Sequence, residues 1–244
     1  NLTELLFAAG AGDKIIATVR HSDYPAAAGN IPIIGDAHNL DMEAIMLLAP
    51  DLILLWESGT GNAAQQKLDE LGLTVFRSEP DSLEKIATTI QRFGQLAGTK
   101  AIAKANSRVF SRTIARLQQE YSAREPVRVF YQFWNRPIFT VNGHHLISRV
   151  IEMCGGSNVF SSLPALTPQI STEAVLAADP DVIIVSGEDE TPPDWMADWH
   201  RWPELTAITG NHLYSIPPDI ILRHTPRIAD GAAMMCEFLD RARQ

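Results

Sequence analysis

Several features of enzymes and of nucleic-acid-binding proteins are missing from this sequence of 244 residues. It contains no Gly-x-Ser-x-Gly, no His-Glu-x-x-His and no glycine-rich phosphate loop, which mark common hydrolases, metalloproteases and nucleotide sites. A net charge of -9 argues against nucleic-acid binding as the main task, because a phosphate backbone calls for a basic face. No apolar run approaches the roughly 18 residues of a membrane-spanning helix. These absences leave a globular chain with an ample apolar core, since 45% of its residues are hydrophobic.

Cysteine is scarce, with Cys154 and Cys236 as the two examples. They share no close spacing with each other or with a histidine, so a zinc site is not predicted. Both lie in apolar, helix-like stretches of the second half of the chain. From these residues alone, a disulfide and a pair of buried free thiols are both possible.

Two segments, residues 40–56 and 170–185, follow the same pattern. In each, a residue with a side-chain oxygen precedes a short apolar helix, and Pro-Asp then leads into an apolar run. The proline is expected to end the helix, because it disfavours the helical region for the residue before it. The runs at 52–56 and 182–185 are typical of strands that are covered on both faces. The repeat therefore predicts two doubly wound α/β lobes.

The start of each repeat carries a cap and an acidic residue. Asp41 and Ser171 are predicted to cap their helices with side-chain oxygens. Glu43 and Glu173 then follow two residues later, at the positive end of the helix dipole. One interpretation is that they only stabilise the helices. The other is that equivalent carboxylates on equivalent lobes dock on a two-fold symmetric partner that presents a basic residue to each.

A long helix separates the two copies. Residues 100–124 contain no glycine or proline, and their apolar residues recur at helical spacing, which predicts a helix of roughly 35 Å. We therefore divide the chain into an N-terminal lobe (1–97), a linking helix (98–124) and a C-terminal lobe (125–244). A linker of this kind is rigid and limits how far two lobes can swing. The chain begins on a helix at Asn1, without an initiator Met, and we expect that a leading strand and a signal peptide preceded it.

Strands are predicted at 14–19, 31–35 and 127–133, and polar and aromatic residues follow the first and the last of these. Open α/β sheets bind ligands at such strand ends. We expect them to line a cleft between the lobes that suits a bulky, partly apolar ligand, although single aromatics could equally be core. The candidate ligand-binding residues are His21, Tyr24, Trp56, Phe133, Trp134, Phe139, Asp219 and Arg223, with His224 beside them.

The sequence supports a ligand-binding cleft better than it supports a catalytic site or a metal site. His21, Ser22 and Asp23 are sequence neighbours, which makes it hard for the histidine to reach both partners as a triad requires. An ion could be held by imidazoles, but a lone histidine is more often structural. No metal, catalytic residue or resident cofactor is predicted; the histidines considered as ligands are His21, His38, His144, His145 and His224.

Five stretches carry a resemblance to a known family: residues 21–25, the two repeats, residues 154–160 with Cys-Gly-Gly, and residues 219–227. Along essentially its whole length, the sequence resembles the periplasmic substrate-binding proteins of ABC importers for cobalamin, ferric siderophores and haem. It is most similar to the cobalamin-binding members. Where those carry aromatics this sequence has His21, Ala37 and Thr167, and Trp134 replaces a glycine.

The resemblance implies a periplasmic, monomeric transport protein that is not an enzyme and that delivers its ligand to a permease dimer. It implies that Glu43 and Glu173 pair with arginines of the two permease subunits, and that Cys154 and Cys236 form a disulfide. The ligand would be cobalamin or a related corrinoid, with a ferric siderophore or haem as the alternative. An enzyme or metal-cluster protein on a related two-lobed fold is the alternative of a different class.

Overall fold

The fold is described here from a computed structural model that covers residues 1–37, 39–187 and 191–244. The chain forms two compact units. The first contains Asn1–Ser111 and His224–Pro226, and the second contains Arg112–Arg223 and Arg227–Gln244. Helix α5, which spans Lys100–Tyr121, therefore contributes residues to both units.

The first unit alternates helices with short parallel strands. Strands β1 and β2 pair in parallel, with Trp56 opposite Ser78 at the end of the register. Two 3-10 helices, Gly12–Lys14 and Ala26–Asn30, lie before the first repeat. Its other elements are α1 (Leu2–Ala8), α2 (Met42–Leu48), β1 (Ile53–Trp56), α3 (Asn62–Glu70), β2 (Val75–Ser78) and α4 (Leu83–Leu96).

Two strand predictions for this unit are wrong. In place of strands at 14–19 and 31–35, the structure has a single parallel bridge between Thr18 and Ile33. Pro32 accepts from the Thr18 N–H but has no N–H to donate, which ends the ladder on one side of the bridge. On the other side the Arg20 N–H donates to the Gly35 carbonyl, out of register, so the ladder does not extend there either. Strand β1 is covered less completely than expected, because Leu55 is buried and its other three residues are partly buried.

The second unit is built on a parallel sheet with the strand order β5-β3-β7-β8. Every residue of β7 is buried, as the apolar run predicted. The elements are β3 (Val127–Gln132), β4 (Ile138–Phe139), α6 (Leu146–Met153), β5 (Gly156–Asn158), β6 (Gln169–Ile170), α7 (Thr172–Ala178), β7 (Val182–Val185), α8 (Thr206–Thr209), β8 (Leu213–Ser215), α9 (Pro218–Ile221) and α10 (Ile228–Arg241).

Aromatic packing closes the core of this unit. Phe130 meets Phe160 and Trp199 edge to face, each with ring centroids 5.6 Å apart. The indole N–H of Trp199 donates to Oε1 of Gln132 at 2.8 Å, so its polar end is satisfied inside the core. Burying each such side chain stabilises the fold by about 1.5–3 kcal/mol. Trp199 lies in a 3-10 helix, Asp194–Arg201.

Both repeat helices begin as predicted. Oδ1 of Asp41 accepts from the Ala44 N–H at 3.0 Å, and Oγ of Ser171 accepts from the Ala174 N–H at 3.3 Å. Both end just before their prolines, with Ala49 (φ 44°) and Asp179 (φ 39°) in the left-handed region. The residue before each proline thus leaves the right-handed helix, as expected.

No helix among the described residues is both long and apolar enough to cross a membrane.

Candidate ligand-binding and docking residues

Trp56 is the last residue of β1 and is anchored by its polar edge. Its indole N–H donates to Oε1 of Glu79 at 3.0 Å. Glu79 directly follows β2, so the neighbouring ends of two parallel strands supply the pair. Ser58 donates to the same carboxylate from its backbone N–H (2.8 Å) and its hydroxyl (3.0 Å). The candidate aromatic Trp56 is therefore fixed by Glu79, which was not among the predicted site residues.

His224 completes this cluster in the first unit. Its ring lies edge to face against Trp56, with centroids 6.3 Å apart. Burial lowers the pKa of His224, while the charges of Glu79 and Asp81 and a hydrogen bond to the Pro80 backbone oppose that shift. The imidazole is therefore biased toward its neutral form.

His21 and Tyr24 lie on an exposed segment of the same unit. His21 has φ 63°, a left-handed conformation that is uncommon for a residue with a side chain. The Tyr24–Pro25 peptide bond is cis, and the 3-10 helix Ala26–Asn30 follows it. The structure thus places both candidates on this segment, whereas Trp56 is surrounded by Ser58, Glu79 and His224.

The second unit brings its three candidate aromatics together. Phe133 and Phe139 stack with centroids 6.0 Å apart and an interplanar angle of 28°. The N–H of Phe139 donates to the Trp134 carbonyl at 3.1 Å, and that of Phe133 donates to the Phe139 carbonyl at 3.2 Å. The Trp134 side chain remains 41% exposed, so it is a surface residue rather than core.

Asp219 and Arg223 form an ion pair beside α9. Oδ1 of Asp219 lies 2.9 Å from Nη2 of Arg223, and its Oδ2 lies 3.6 Å from Nη1 of Arg227. All three side chains are at least three-quarters buried. One carboxylate thus orients two guanidinium groups, whose planar donors suit carboxylate, phosphate or amide oxygens. Arg227 lay within the stretch that carried the resemblance but was not among the candidate site residues.

The two candidate docking glutamates occupy equivalent positions. Glu43 and Glu173 are each the second residue of a helix, and both side chains are exposed. Hydrogen bonds from its own backbone N–H and from Ser171 lower the pKa of Glu173. The helices differ farther along, because Leu47 of α2 is 87% exposed where α7 has Ala177.

The disulfide is confirmed. Cys154 at the end of α6 and Cys236 in α10 are bonded with an S–S distance of 2.05 Å, and both residues are fully buried. The bond ties the last helix to α6 across a sequence separation of 82 residues.

Two of the histidines considered as metal ligands, His144 and His145, lie next to α6. Nδ1 of His145 accepts the N–H of Ile147 and caps α6, while His144 is exposed. His38 lies outside the described residues. Within residues 1–37, 39–187 and 191–244, no group of three or more His, Cys, Asp or Glu side chains is arranged to hold an ion.

Comparison with known proteins assigns the family. A family profile described as "Periplasmic binding protein" matches residues 1–220. A vitamin B12-binding protein of Vibrio parahaemolyticus is 34% identical over 242 residues, which cover 99% of this chain and 87% of the relative.

Solved structures agree in fold. The crystal structure of periplasmic vitamin B12 binding protein BtuF of Vibrio cholerae aligns with a TM-score of 0.89 and 31% identity, over 99% of this chain and 94% of that one. Periplasmic heme binding protein HutB of Vibrio cholerae aligns with a TM-score of 0.83 over 98% of this chain and 95% of that one. Because the identity is 21%, this likeness supports the fold alone. These relatives are named for binding rather than for a catalysed reaction, so the alternative of an enzyme is set aside. The chain belongs to the periplasmic binding protein family.

Proposed function

We propose that this protein is the substrate-binding component of an ABC importer, that it works in the periplasm as a monomer, and that it captures cobalamin or a related corrinoid. The observation that carries the proposal is the 34% identity to a vitamin B12-binding protein across 99% of this chain. The 31% identity to a solved vitamin B12 binding protein, with a TM-score of 0.89, supports the same ligand.

The described side chains suit a corrinoid in two ways. Trp56 in the first unit, and the stacked Phe133 and Phe139 in the second, offer flat apolar faces of the kind that pack against a macrocycle. Arg223 and Arg227, oriented by Asp219, offer donors for amide or phosphate oxygens at the ligand's edge. Tyr24 and Trp134 add exposed aromatic surface. The corrinoid is cargo, and the function needs no resident cofactor.

Delivery would use the two glutamates. Glu43 and Glu173 expose one carboxylate each at matching positions of the repeat, and a permease dimer presents two equivalent surfaces. Arginines on those surfaces would pair with the carboxylates.

Haem or a ferric siderophore is the second candidate ligand. The favouring observation is His21, an exposed imidazole with a left-handed backbone, because imidazole is a common ligand for iron.

Calorimetric titration separates the candidates. The protein is titrated with cyanocobalamin, cobinamide, haem and ferric siderophores, and the corrinoids are expected to bind. Arg223→Ala should weaken binding by about tenfold, because it removes a charged donor. Arg149→Ala is the matched control, since Arg149 makes an exposed ion pair with Glu152 on α6. If only haem gives a heat of binding, haem becomes the proposed ligand. If no corrinoid gives a heat of binding, corrinoids are excluded as the ligand.

A further inference from the structure

We propose that Glu79 is a positioning residue that fixes the indole plane of Trp56 as a preformed face for a flat ligand. This inference rests on the proposed function, because it takes Trp56 as a ligand-contacting residue. Glu79 does not touch the ligand but controls the orientation of Trp56, which does.

Both carboxylate oxygens of Glu79 accept hydrogen bonds from Trp56 or from Ser58 beside it. Oε1 accepts from the indole N–H of Trp56 and from the hydroxyl of Ser58, and Oε2 accepts from the backbone N–H of Ser58. Hydrogen bonds to an ionised carboxylate are stronger than neutral ones. Both oxygens are thus engaged within the first unit, which favours a supporting role over direct contact with the ligand.

The loop after Trp56, residues 57–61, holds the same ring from another side. A Cβ added at Gly59 would lie 2.0 Å from Cε3 of Trp56, so the backbone passes directly against the indole. The N–H of Thr60 donates to the Trp56 carbonyl at 3.0 Å. Gln65 of α3 donates to the carbonyls of Glu57 and Thr60, at 2.9 Å each. Hydrogen bonds from Thr60 and from Gln65 of α3 therefore hold the backbone of this loop beside the ring.

His224 lies against the same indole edge to face, with centroids 6.3 Å apart. With its N–H bonded to Glu79, the Gly59 backbone against its ring and the His224 ring packed on it, Trp56 has little rotamer freedom left to lose. A side chain that is already ordered gives up less conformational entropy when a ligand packs on it. Affinity gained in this way depends on Glu79 even though Glu79 makes no ligand contact.

A double-mutant cycle tests the coupling. Glu79→Ala should weaken cyanocobalamin binding by about tenfold, since it leaves the indole N–H without its acceptor. Glu79→Gln retains one oxygen for the indole N–H and should recover part of the loss. Trp56→Phe removes the N–H but keeps an aromatic ring, and in that background Glu79→Ala should change affinity by less than about twofold. An equal loss in both backgrounds would mean that Glu79 acts on the ligand independently of Trp56, and would overturn the proposal.

Gly59→Ala gives a second test, because it pushes on the ring without altering any charge. It should also weaken binding, while Gly29→Ala should not, since a Cβ at Gly29 meets nothing within 4 Å. Equal affinities for the two variants would contradict the proposal.

Near-ultraviolet circular dichroism tests the positioning role without any ligand. The Trp56 signal is the difference between the wild type and Trp56→Phe, and Glu79→Ala should reduce it by more than about half, because a freed indole samples several rotamers. If the wild type binds haem and no corrinoid, the cycle is run with haem. If it binds neither, the proposed function is wrong. Independently of any ligand, an unchanged Trp56 signal in Glu79→Ala would show that Glu79 does not position the indole.

Discussion

Arg128 donates from Nη1 to the carbonyl oxygen of Asp179 at 2.8 Å, and from Nη2 to the carbonyl of Ala178. These carbonyls lie at the end of α7, where backbone oxygens lack intrahelical partners. A cation at this end also complements the helix dipole. Arg128 on β3 therefore holds the helix that presents Glu173.

Replacing Arg128 by methionine should lower the free energy of unfolding by about 1–2 kcal/mol, because two carbonyls lose a charged donor. Urea unfolding followed by circular dichroism measures the change. Arg149→Met serves as the control, since its exposed pair with Glu152 should be worth less than about 1 kcal/mol. Equal losses in the two variants would show that the helix-end contact has no special role.

Loss of the disulfide should destabilise the second unit. Joint replacement of Cys154 and Cys236 by alanine should lower the free energy of unfolding by about 2–4 kcal/mol, because the bond closes a long loop. The measurement is urea unfolding with and without dithiothreitol. The wild type should lose stability in reductant, and the double variant should not respond to it. A reductant effect of similar size in the double variant would contradict this assignment.

Stability should fall as the pH drops below about 6.5, the ordinary pKa of histidine. Burial lowers the pKa of His224 in the folded state, so the unfolded state takes up the proton first. The unfolded state binds more protons in this window, and stability therefore rises with pH across it. Urea unfolding between pH 7.5 and 5 measures the slope, which should be shallower in His224→Gln. A slope unchanged by that substitution would remove His224 as its source.

The docking role of the glutamates is tested by replacing Glu43 and Glu173 together with alanine. Uptake through the importer should be lost while ligand affinity stays unchanged, because the carboxylates would contact the permease and not the ligand. Glu84→Ala is the matched control: Glu84 is also exposed at the second position of a helix, after the capping residue Ser82. Unchanged uptake in the double variant would leave only helix stabilisation as the role of Glu43 and Glu173.

Local features of the fold were predictable from the sequence, because their causes lie within a few residues. Asp41 and Ser171 cap their helices as expected, and the buried strand β7 follows Pro180 at the predicted bounds. The strand predicted at 14–19 failed for a non-local reason, because its partner segment contains Pro32 and pairs out of register at Gly35. The partial burial of β1 was likewise not predictable, since the covering of a strand depends on distant elements.

The candidate site was predicted in part. Trp56 was found because it ends an apolar run, but Glu79 was missed because it follows β2 (Val75–Ser78), a strand that is not part of either repeat. A polar residue just past the true strand end is the signal that could have identified it. The pairing of Asp219 with Arg227 needed three-dimensional information, since the two residues lie on either side of a turn.

Near its C-terminus the chain returns to the first unit for three residues, so the first unit cannot be produced whole as one continuous fragment. The stretch His224–Pro226 belongs with Asn1–Ser111, although more than a hundred residues of the second unit lie between them. A fragment that ends at Ser111 would lack the imidazole that packs on Trp56. Tryptophan fluorescence of such a fragment could then report the binding of a synthetic peptide carrying His224, so the first unit offers a basis for fragment complementation.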